Sequence, residues 1–201
     1  MPAARVARWV ANFAESHGGA ELSVADGRLF GLAPDGSTFE ARLPFAAPYD
    51  GVPDGDAFAA ALTVPANWGV LLVRKGGFAV ARLKAESIVE SKVGQRHVQG
   101  RTKAGGQSQQ RFARRRDNQA RQAYEAAAEH AARILGSLDR NALLVVGGDR
   151  PAVEAVLEDP RLRTLAGHVV DPWLPVPDPR RAVLEGAVRD ACSVRVDVVN
   201  A

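Results

Sequence analysis

A short run of glycine and glutamine precedes a cluster of arginines, and it contains the residues best suited to chemistry. Gly105 and Gly106 permit backbone conformations closed to other residues and allow a close approach to a ligand. Gln107 stands where a helical pattern begins, and there unpaired N–H groups and the helix dipole favour a negative oxygen. The Gln107 amide does not titrate near neutral pH, so it can orient a water but cannot serve as a true general base. Its backbone N–H can stabilise an oxyanion or a leaving alkoxide.

Taken alone, this tripeptide favours a simpler interpretation, in which the glycines only precede and cap a helix. The flanking residues add a second feature, a set of cations able to contact phosphates. These candidate RNA-binding residues are Arg101, Lys103, Arg111, Arg114, Arg115 and Arg121. An arbitrary basic helix more often presents a solvated surface. Beside a Gly-rich loop that has no acidic residue, we favour contact with an RNA backbone.

Positive charge is concentrated in this part of the chain. The segment from Lys92 to Arg121 holds nine basic residues and one acidic residue, Asp117. Its net charge is therefore +8 within a chain whose formal net charge is +3, so the remaining residues sum to −5. One block carries the positive field, which is the distribution expected of a surface that meets nucleic acid.

The stretch from Arg101 to Arg116 resembles the catalytic loop of the GGQ-type peptide-chain release factors of eukaryotes and archaea. The resemblance extends upstream to the apolar hairpin at residues 69–83 and downstream through Tyr124 and residues 142–148, and it covers about residues 66–200. The matching loop residues are Gly105, Gly106, Gln107, Ser108, Arg111, Phe112, Ala113 and Arg114.

Within that superfamily the chain is most similar to the Vms-like release-factor domains, in particular their short actinobacterial stand-alone members. The resemblance implies a hydrolase that cleaves the ester between nascent peptide and tRNA on the large ribosomal subunit, in ribosome rescue and quality control. It implies that Gln107 is the catalytic residue and that Gly105 and Gly106 form its hinge. The implied partners are the large subunit, peptidyl-tRNA and ribosomal RNA, with no cofactor and no metal. We find no segment that resembles a stop-codon-reading domain, so codon-specific termination is not expected.

The expected fold is α/β. An N-terminal segment, residues 1–60, shows a helix at 4–16 and short strands at 21–24, 28–33 and 38–43, and its sequence indicates no role. A catalytic domain at residues 66–200 follows, with a GGQ loop at 94–107 that leads into a long basic helix ending near Leu135. After residue 140 strands alternate with helices, which predicts a mixed sheet with flanking helices. The family resemblance implies an RNase H-like layer from which the loop projects.

Two further sequence features have structural interpretations. The run Gly147-Gly148-Asp149 predicts a tight strand-to-helix turn with Asp149 as the cap, in preference to a phosphate loop. The final strand is predicted at residues 194–198, where it would close the mixed sheet.

Two other functions stay open. A non-catalytic ribosome- or tRNA-binding module would use the same arginines but would not require Gln107. A metal-dependent nuclease would need several converging carboxylates. Asp149 and Asp171 lie near strand ends, but Glu86 and Glu90 flank a strand with no clear inward pair. Dependence on a divalent metal would distinguish such a nuclease from the Gln107 mechanism.

Composition sets the remaining expectations. Cys192 is the single cysteine, which excludes an internal disulfide and fits a reducing compartment; we expect it to be a small buried apolar residue. No apolar run approaches the roughly 20 residues needed to span a bilayer, and the amino terminus has no apolar signal region. We therefore expect a cytoplasmic protein that does not enter a membrane and is a monomer when free.

Overall fold

A computed structural model describes residues 1–95 and 107–201, and for residues 107–120 it describes the backbone only. The strands are β1 (Glu21–Ala25), β2 (Arg28–Leu32), β3 (Thr38–Arg42), β4 (Asn67–Arg74), β5 (Gly77–Lys84), β6 (Ser87–Gln95), β7 (Leu143–Gly148), β8 (Val169–Leu174) and β9 (Arg195–Val199). The α-helices are α1 (Val6–Ser16), α2 (Gly55–Ala60), α3 (Gln107–Leu135), α4 (Arg150–Leu157), α5 (Arg163–Ala166) and α6 (Arg181–Ala191).

The chain forms two compact units. Unit 1 contains Met1–Val64 together with Arg189–Ala201, and unit 2 contains Pro65–Val188. The sequence-based boundary between residues 60 and 66 lies close to the first division. At the carboxyl end the division differs from the domain expected at 66–200, because the last residues of the chain belong to unit 1.

Unit 1 is an antiparallel sheet covered on one face by helices. Its strand order is β1-β2-β3-β9, and α1 buries Val6, Val10 and Phe13 against the sheet residues Leu29 and Phe39. These residues recur at helical spacing in α1 and at alternate positions in the strands, so the predicted helix and three strands are confirmed.

Strand β9 corrects one expectation. It pairs antiparallel with β3 from Thr38↔Val199 to Arg42↔Arg195, so it completes the sheet of unit 1 and not the mixed sheet. The alternation of apolar residues predicted β9 as a strand. It carries no information about which distant strand supplies the hydrogen-bond partners.

Unit 2 is a mixed five-stranded sheet of order β6-β5-β4-β7-β8. Strands β4, β5 and β6 form an antiparallel meander, while β7 and β8 extend the sheet in parallel on the other side of β4. This arrangement is that of an RNase H-like layer, and it confirms the predicted fold class. Helix α3 is the crossover between β6 and β7, and the predicted projecting loop lies outside the described residues.

The core of unit 2 holds α3 in place. Strand β4 is buried from Trp68 to Val73, and α3 and α4 pack on one face of the sheet. The carboxyl half of α3 supplies a continuous buried stripe that contacts sheet residues such as Leu71 and Val80. That stripe consists of Ala127, Ala128, Ala131, Ile134 and Leu135.

A Gly148→Ala substitution tests the end of β7. Gly148 has a φ of +95°, and a Cβ there would collide with the carbonyl oxygen of Val73 on the neighbouring strand. We expect the free energy of unfolding to fall by about 1–3 kcal/mol for the backbone strain alone. Urea denaturation measures this change.

The matched control for that substitution is Gly167→Ala. Gly167 has a φ of −74°, and a Cβ there would meet only the Thr164 carbonyl oxygen at an ordinary 3.5 Å. A compatible Gly→Ala change leaves stability equal or raises it by about 0.4–1 kcal/mol. Equal losses at Gly148 and Gly167 would contradict the assigned role of the positive φ.

Candidate functional site

The predicted site residues fall at the junction between β6 and α3. Gln107 is the first residue of α3, as the sequence predicted. Gly105, Gly106, Arg101 and Lys103 lie outside the described residues. Arg111, Arg114 and Arg115 belong to the part of α3 whose backbone alone is described.

Residues 94 and 95, which were predicted to begin the Gly-rich loop, belong to strand β6. Gly94 and Gln95 are the last residues of β6, paired with Phe78 and Gly77 of β5. Gly94 serves packing at this point, because a Cβ there would overlap the Phe78 ring. Phe78 is itself buried and stacks on His130 of α3 with ring centroids 5.6 Å apart. The glycine therefore helps seat α3 on the sheet.

Helix α3 is long relative to the sheet it crosses. Its 29 residues correspond to about 43 Å at 1.5 Å per residue. An eight-residue strand such as β5 is about 26 Å long. Within the described side chains, the residues packed on the core run from Tyr124 to the end of the helix. The carboxyl half of α3 thus fixes the helix to the sheet, and it thereby sets the position of the segment that begins at Gln107.

Among the described side chains, Tyr124 is the first residue of α3 that packs on the core of unit 2. Burial, and then the charge of Asp149, raise the pKa of its hydroxyl above the ordinary value. Residues of α3 before Tyr124 lead away from its packed half.

The two ends of α3 differ in how their charges suit the helix dipole. The first turn contains no acidic residue, although acidic groups there would stabilise the helix, whereas the last turn contains the favourable cation Arg133. Arg121 is exposed, and its Nε lies 3.6 Å from Glu125 Oε1. Exposed pairs of this kind contribute only roughly 0.3–0.5 kcal/mol, so this pair does little to stabilise α3.

The carboxylates considered for a nuclease form no metal-binding cluster among the described residues. Glu90 lies 2.5 Å from Arg133 and 3.9 Å from Arg82, and Asp171 is exposed on β8. Among the described residues, no group of three or more His, Cys, Asp or Glu side chains could hold a metal ion.

Asp149 occupies the N-cap position of α4, but the expectation that its side chain caps the helix is wrong. Its carboxylate lies 3.5 Å from Arg74 Nε and accepts a hydrogen bond of 3.3 Å from the Lys75 backbone N–H. The carboxylate thus binds the end of β4 and the β4–β5 turn, and not the backbone N–H groups of α4. Asp149 therefore joins β7 to that turn.

A cation–aromatic pair, Arg150 and Trp173, lies at the same end of the sheet and was not predicted from the sequence. The Arg150 guanidinium carbon lies 4.1 Å from the centroid of the Trp173 ring, and Trp173 Nε1 donates a 3.0 Å hydrogen bond to the Gly148 carbonyl. Residues 150 and 173 are far apart in sequence and share no motif. The only available signal was a cation in the first turn of α4, where the helix dipole disfavours it.

A comparison with protein-family models matches residues 66–197 to the family described as the Actinobacteria/chloroflexi VLRF1 release factor. The matched segment is about two thirds of the 201 residues and includes Gln107. The chain belongs to this family. VLRF1 proteins are release factors, so the chain belongs with proteins that act at the ribosome in translation termination or rescue.

Other comparisons with this VLRF1 chain are more distant. The crystal structure of the archaeal translation termination factor aRF1 is similar with a TM-score of 0.42 and 15% sequence identity. The similarity covers 80% of this chain and 48% of the aRF1 chain, so the VLRF1 chain spans about half the length of aRF1. No curated protein matches. Within residues 1–95 and 107–201, no helix is long and apolar enough to cross a membrane.

Proposed function

We propose that this VLRF1 protein is a peptidyl-tRNA hydrolase that rescues stalled ribosomes. It cleaves the ester between the nascent peptide and tRNA on the large ribosomal subunit. The observation that carries the proposal is the family match over residues 66–197, within which Gly105 and Gly106 directly precede in sequence Gln107, the first residue of α3. A cytoplasmic location fits this role.

Gln107 is the catalytic residue in this proposal. Its amide can accept a hydrogen bond from a water and donate one to the ester, which holds the water against the carbonyl carbon. Its backbone N–H belongs to the first turn of α3 and has no partner within the helix, so it can donate to the departing ribose oxygen. Water adds to the carbonyl, the ester C–O bond breaks, and the ribose oxygen gains the proton. Positioning and electrostatics supply the rate, with no covalent intermediate.

Gly105 and Gly106 deliver Gln107 to the ester. Glycine lacks a Cβ, so its backbone can pass close to RNA and adopt conformations closed to other residues. The described part of α3 supports this role, because its buried carboxyl half gives the delivered residue a fixed base. Residues 66–200 form the catalytic part in this proposal.

The arginine-rich start of α3 docks on ribosomal RNA or on the tRNA. We assign phosphate contacts to Arg101, Lys103, Arg111, Arg114, Arg115 and Arg121. At 3.6 residues per turn, helical positions 111 and 115 fall on the side of α3 opposite the buried positions 127 and 131. A ligand on that side would not compete with the packing of α3 on the sheet.

Arg114→Ala and Arg115→Ala should each weaken binding to the large ribosomal subunit, by about three- to tenfold. Each lost phosphate contact should also lower the slope of log K against log salt by about one. Sedimentation of the full chain with purified large subunits, over a series of salt concentrations, measures both quantities.

Arg163→Ala is the matched control for those variants. Arg163 is exposed in α5, and no ion pair is seen for it among the described residues. It carries the same charge change away from α3. Equal losses for all three variants would indicate a general charge effect and would contradict a docking role for α3.

The decisive experiment for the function is release of labelled peptide from purified large subunits that carry peptidyl-tRNA. Added protein should increase the release rate, and the Gln107→Ala variant should not. A protein that binds these subunits without releasing peptide would instead be a non-catalytic ribosome- or tRNA-binding module.

A further inference from the structure

A basic and aromatic surface lies at the end of the unit 2 sheet where the parallel strands β4, β7 and β8 have their carboxyl ends. The proposed mechanism does not use this surface. It consists of Arg150, Trp173 and Lys75, and we refer to it as the edge patch. The Arg150 guanidinium lies over the Trp173 ring at 4.1 Å, and Trp173 is fixed by its hydrogen bond to the Gly148 carbonyl. The Arg150 guanidinium and the Trp173 ring therefore lie together at this place on the surface.

The cations of the edge patch are not neutralised within the protein. Asp149 is the adjacent carboxylate, but it is occupied by Arg74 and by the Lys75 backbone N–H. Asp178 lies 3.9 Å from the same Arg74 Nε. Within the part of the chain that the structure describes, no carboxylate forms an ion pair with the Arg150 or Lys75 side chain, and both residues are exposed.

Stability of α4 does not account for this arrangement. Arg150 is the first residue of the helix, where a positive charge opposes the helix dipole. No acidic residue in that turn offsets the charge. A cation that is unfavourable for its own helix and free of an ion pair is available to bind an external group.

We propose that the edge patch is a second RNA-binding site, which stacks an unpaired base and contacts an adjacent phosphate. Bases stack on guanidinium groups and on aromatic rings in single-stranded RNA recognition, and the exposed Arg150 over Trp173 offers both kinds of group at one place. Lys75, in the β4–β5 turn beside Asp149, supplies a point charge for the phosphate.

The position of the edge patch favours RNA as the partner. Around the edge patch the cations Arg74, Lys75 and Arg150 outnumber the two neighbouring carboxylates, Asp149 and Asp178. Helix α4, which begins at Arg150, packs against α3 in the same core. Only the source of the RNA, tRNA or ribosomal RNA, rests on the proposed function.

Binding of the full chain to an RNA hairpin tests the edge patch. The probe is a tRNA acceptor-arm hairpin with a single-stranded 3′ end, and fluorescence anisotropy measures its affinity over a salt series. Arg150→Ala should weaken binding about tenfold, from the loss of one stacked base and one cation, and lower the salt slope by about one. Arg150→Lys retains the charge without the planar face, so it should lose affinity at an unchanged slope.

The matched control is Arg140→Ala. Arg140 is exposed in the turn between α3 and β7, which lies at the opposite edge of the same sheet. It removes the same charge and should change affinity less than twofold. Thermal melting of each variant by circular dichroism confirms that the fold is retained, as expected for loss of a cation from the first turn of a helix.

The possible results are distinguishable. If Arg150→Ala and Arg150→Lys bind both the hairpin and protein-free ribosomal RNA as the unaltered protein does, the edge patch is not an RNA site. If they also lose binding to intact ribosomal subunits while binding to both RNAs is unchanged, the partner is a protein surface. If the unaltered protein fails to release peptide but Arg150→Ala weakens hairpin binding, the proposed function fails and the edge patch stands.

Discussion

A Gln107→Ala variant is expected to lose peptide release by at least about a hundredfold while its affinity for the large ribosomal subunit is unchanged. The substitution removes the amide that would hold the water, but it leaves the backbone N–H and the helix start in place. Alanine is the best helix former, so α3 should still begin at the same residue. Single-turnover release from large subunits carrying labelled peptidyl-tRNA measures the chemical step, and sedimentation with the same subunits measures binding.

The matched control for this variant is Gln122→Ala. Gln122 is exposed about four turns further along α3 and carries the same side chain. Loss of an amide at that position should leave the release rate within about twofold of the original. Release by Gln107→Ala at the original rate would show that the assignment of Gln107 is wrong. A parallel loss of subunit binding would indicate that Gln107 contributes to docking and not to catalysis.

Local sequence patterns predicted the individual elements well, because each pattern is set by local burial. Helix α3 ends at Leu135, as its sequence predicted. Strand β4 was recognisable as an uninterrupted apolar run, which is typical of a strand buried on both faces. The apolar hairpin at residues 69–83 is confirmed as β4 and β5.

Pairing between distant segments could not be predicted in the same way. Strand β9 joins β3, and Asp149 binds the β4–β5 turn, because backbone and side-chain donors meet only once the sheets have formed. Gly94 shows the same limit at a single position. Its residue type is typical of a loop, yet its value in the fold is the space that it leaves for Phe78. No local pattern contains such information.

The two proposed sites also differ in whether the sequence alone could reveal them. The Gly-Gly-Gln run and the basic residues behind it are contiguous, so a hypothesis about their chemistry and a family resemblance could be drawn from the sequence alone. The edge patch depends on Arg150 and Trp173 meeting across two strand ends, and only the three-dimensional structure brings them together. Contiguous motifs are therefore predictable sites, whereas sites assembled from separate elements are not.

An Ile134→Ala substitution should show whether the stability of the α3 core and the rate of peptide release can change independently. Ile134 is fully buried in the core of unit 2, and its truncation should lower the free energy of unfolding by about 2–5 kcal/mol. The spread reflects how far the surrounding side chains can collapse into the cavity. Urea denaturation followed by circular dichroism gives the value, and Glu129→Ala, an exposed change on the same helix, should stay within about 0.5 kcal/mol.

The effect of Ile134→Ala on release depends on how α3 supports Gln107. Ile134 lies 27 residues after Gln107, or about 40 Å along the helix axis, so it cannot touch the ester. If the carboxyl half of α3 serves only as a base, each folded molecule should release peptide at nearly the original rate at low temperature. The loss should then follow the folded fraction as temperature rises. A release rate that falls far below the folded fraction would show that helix placement is itself limiting. An unchanged unfolding free energy would contradict the assignment of Ile134 to the core.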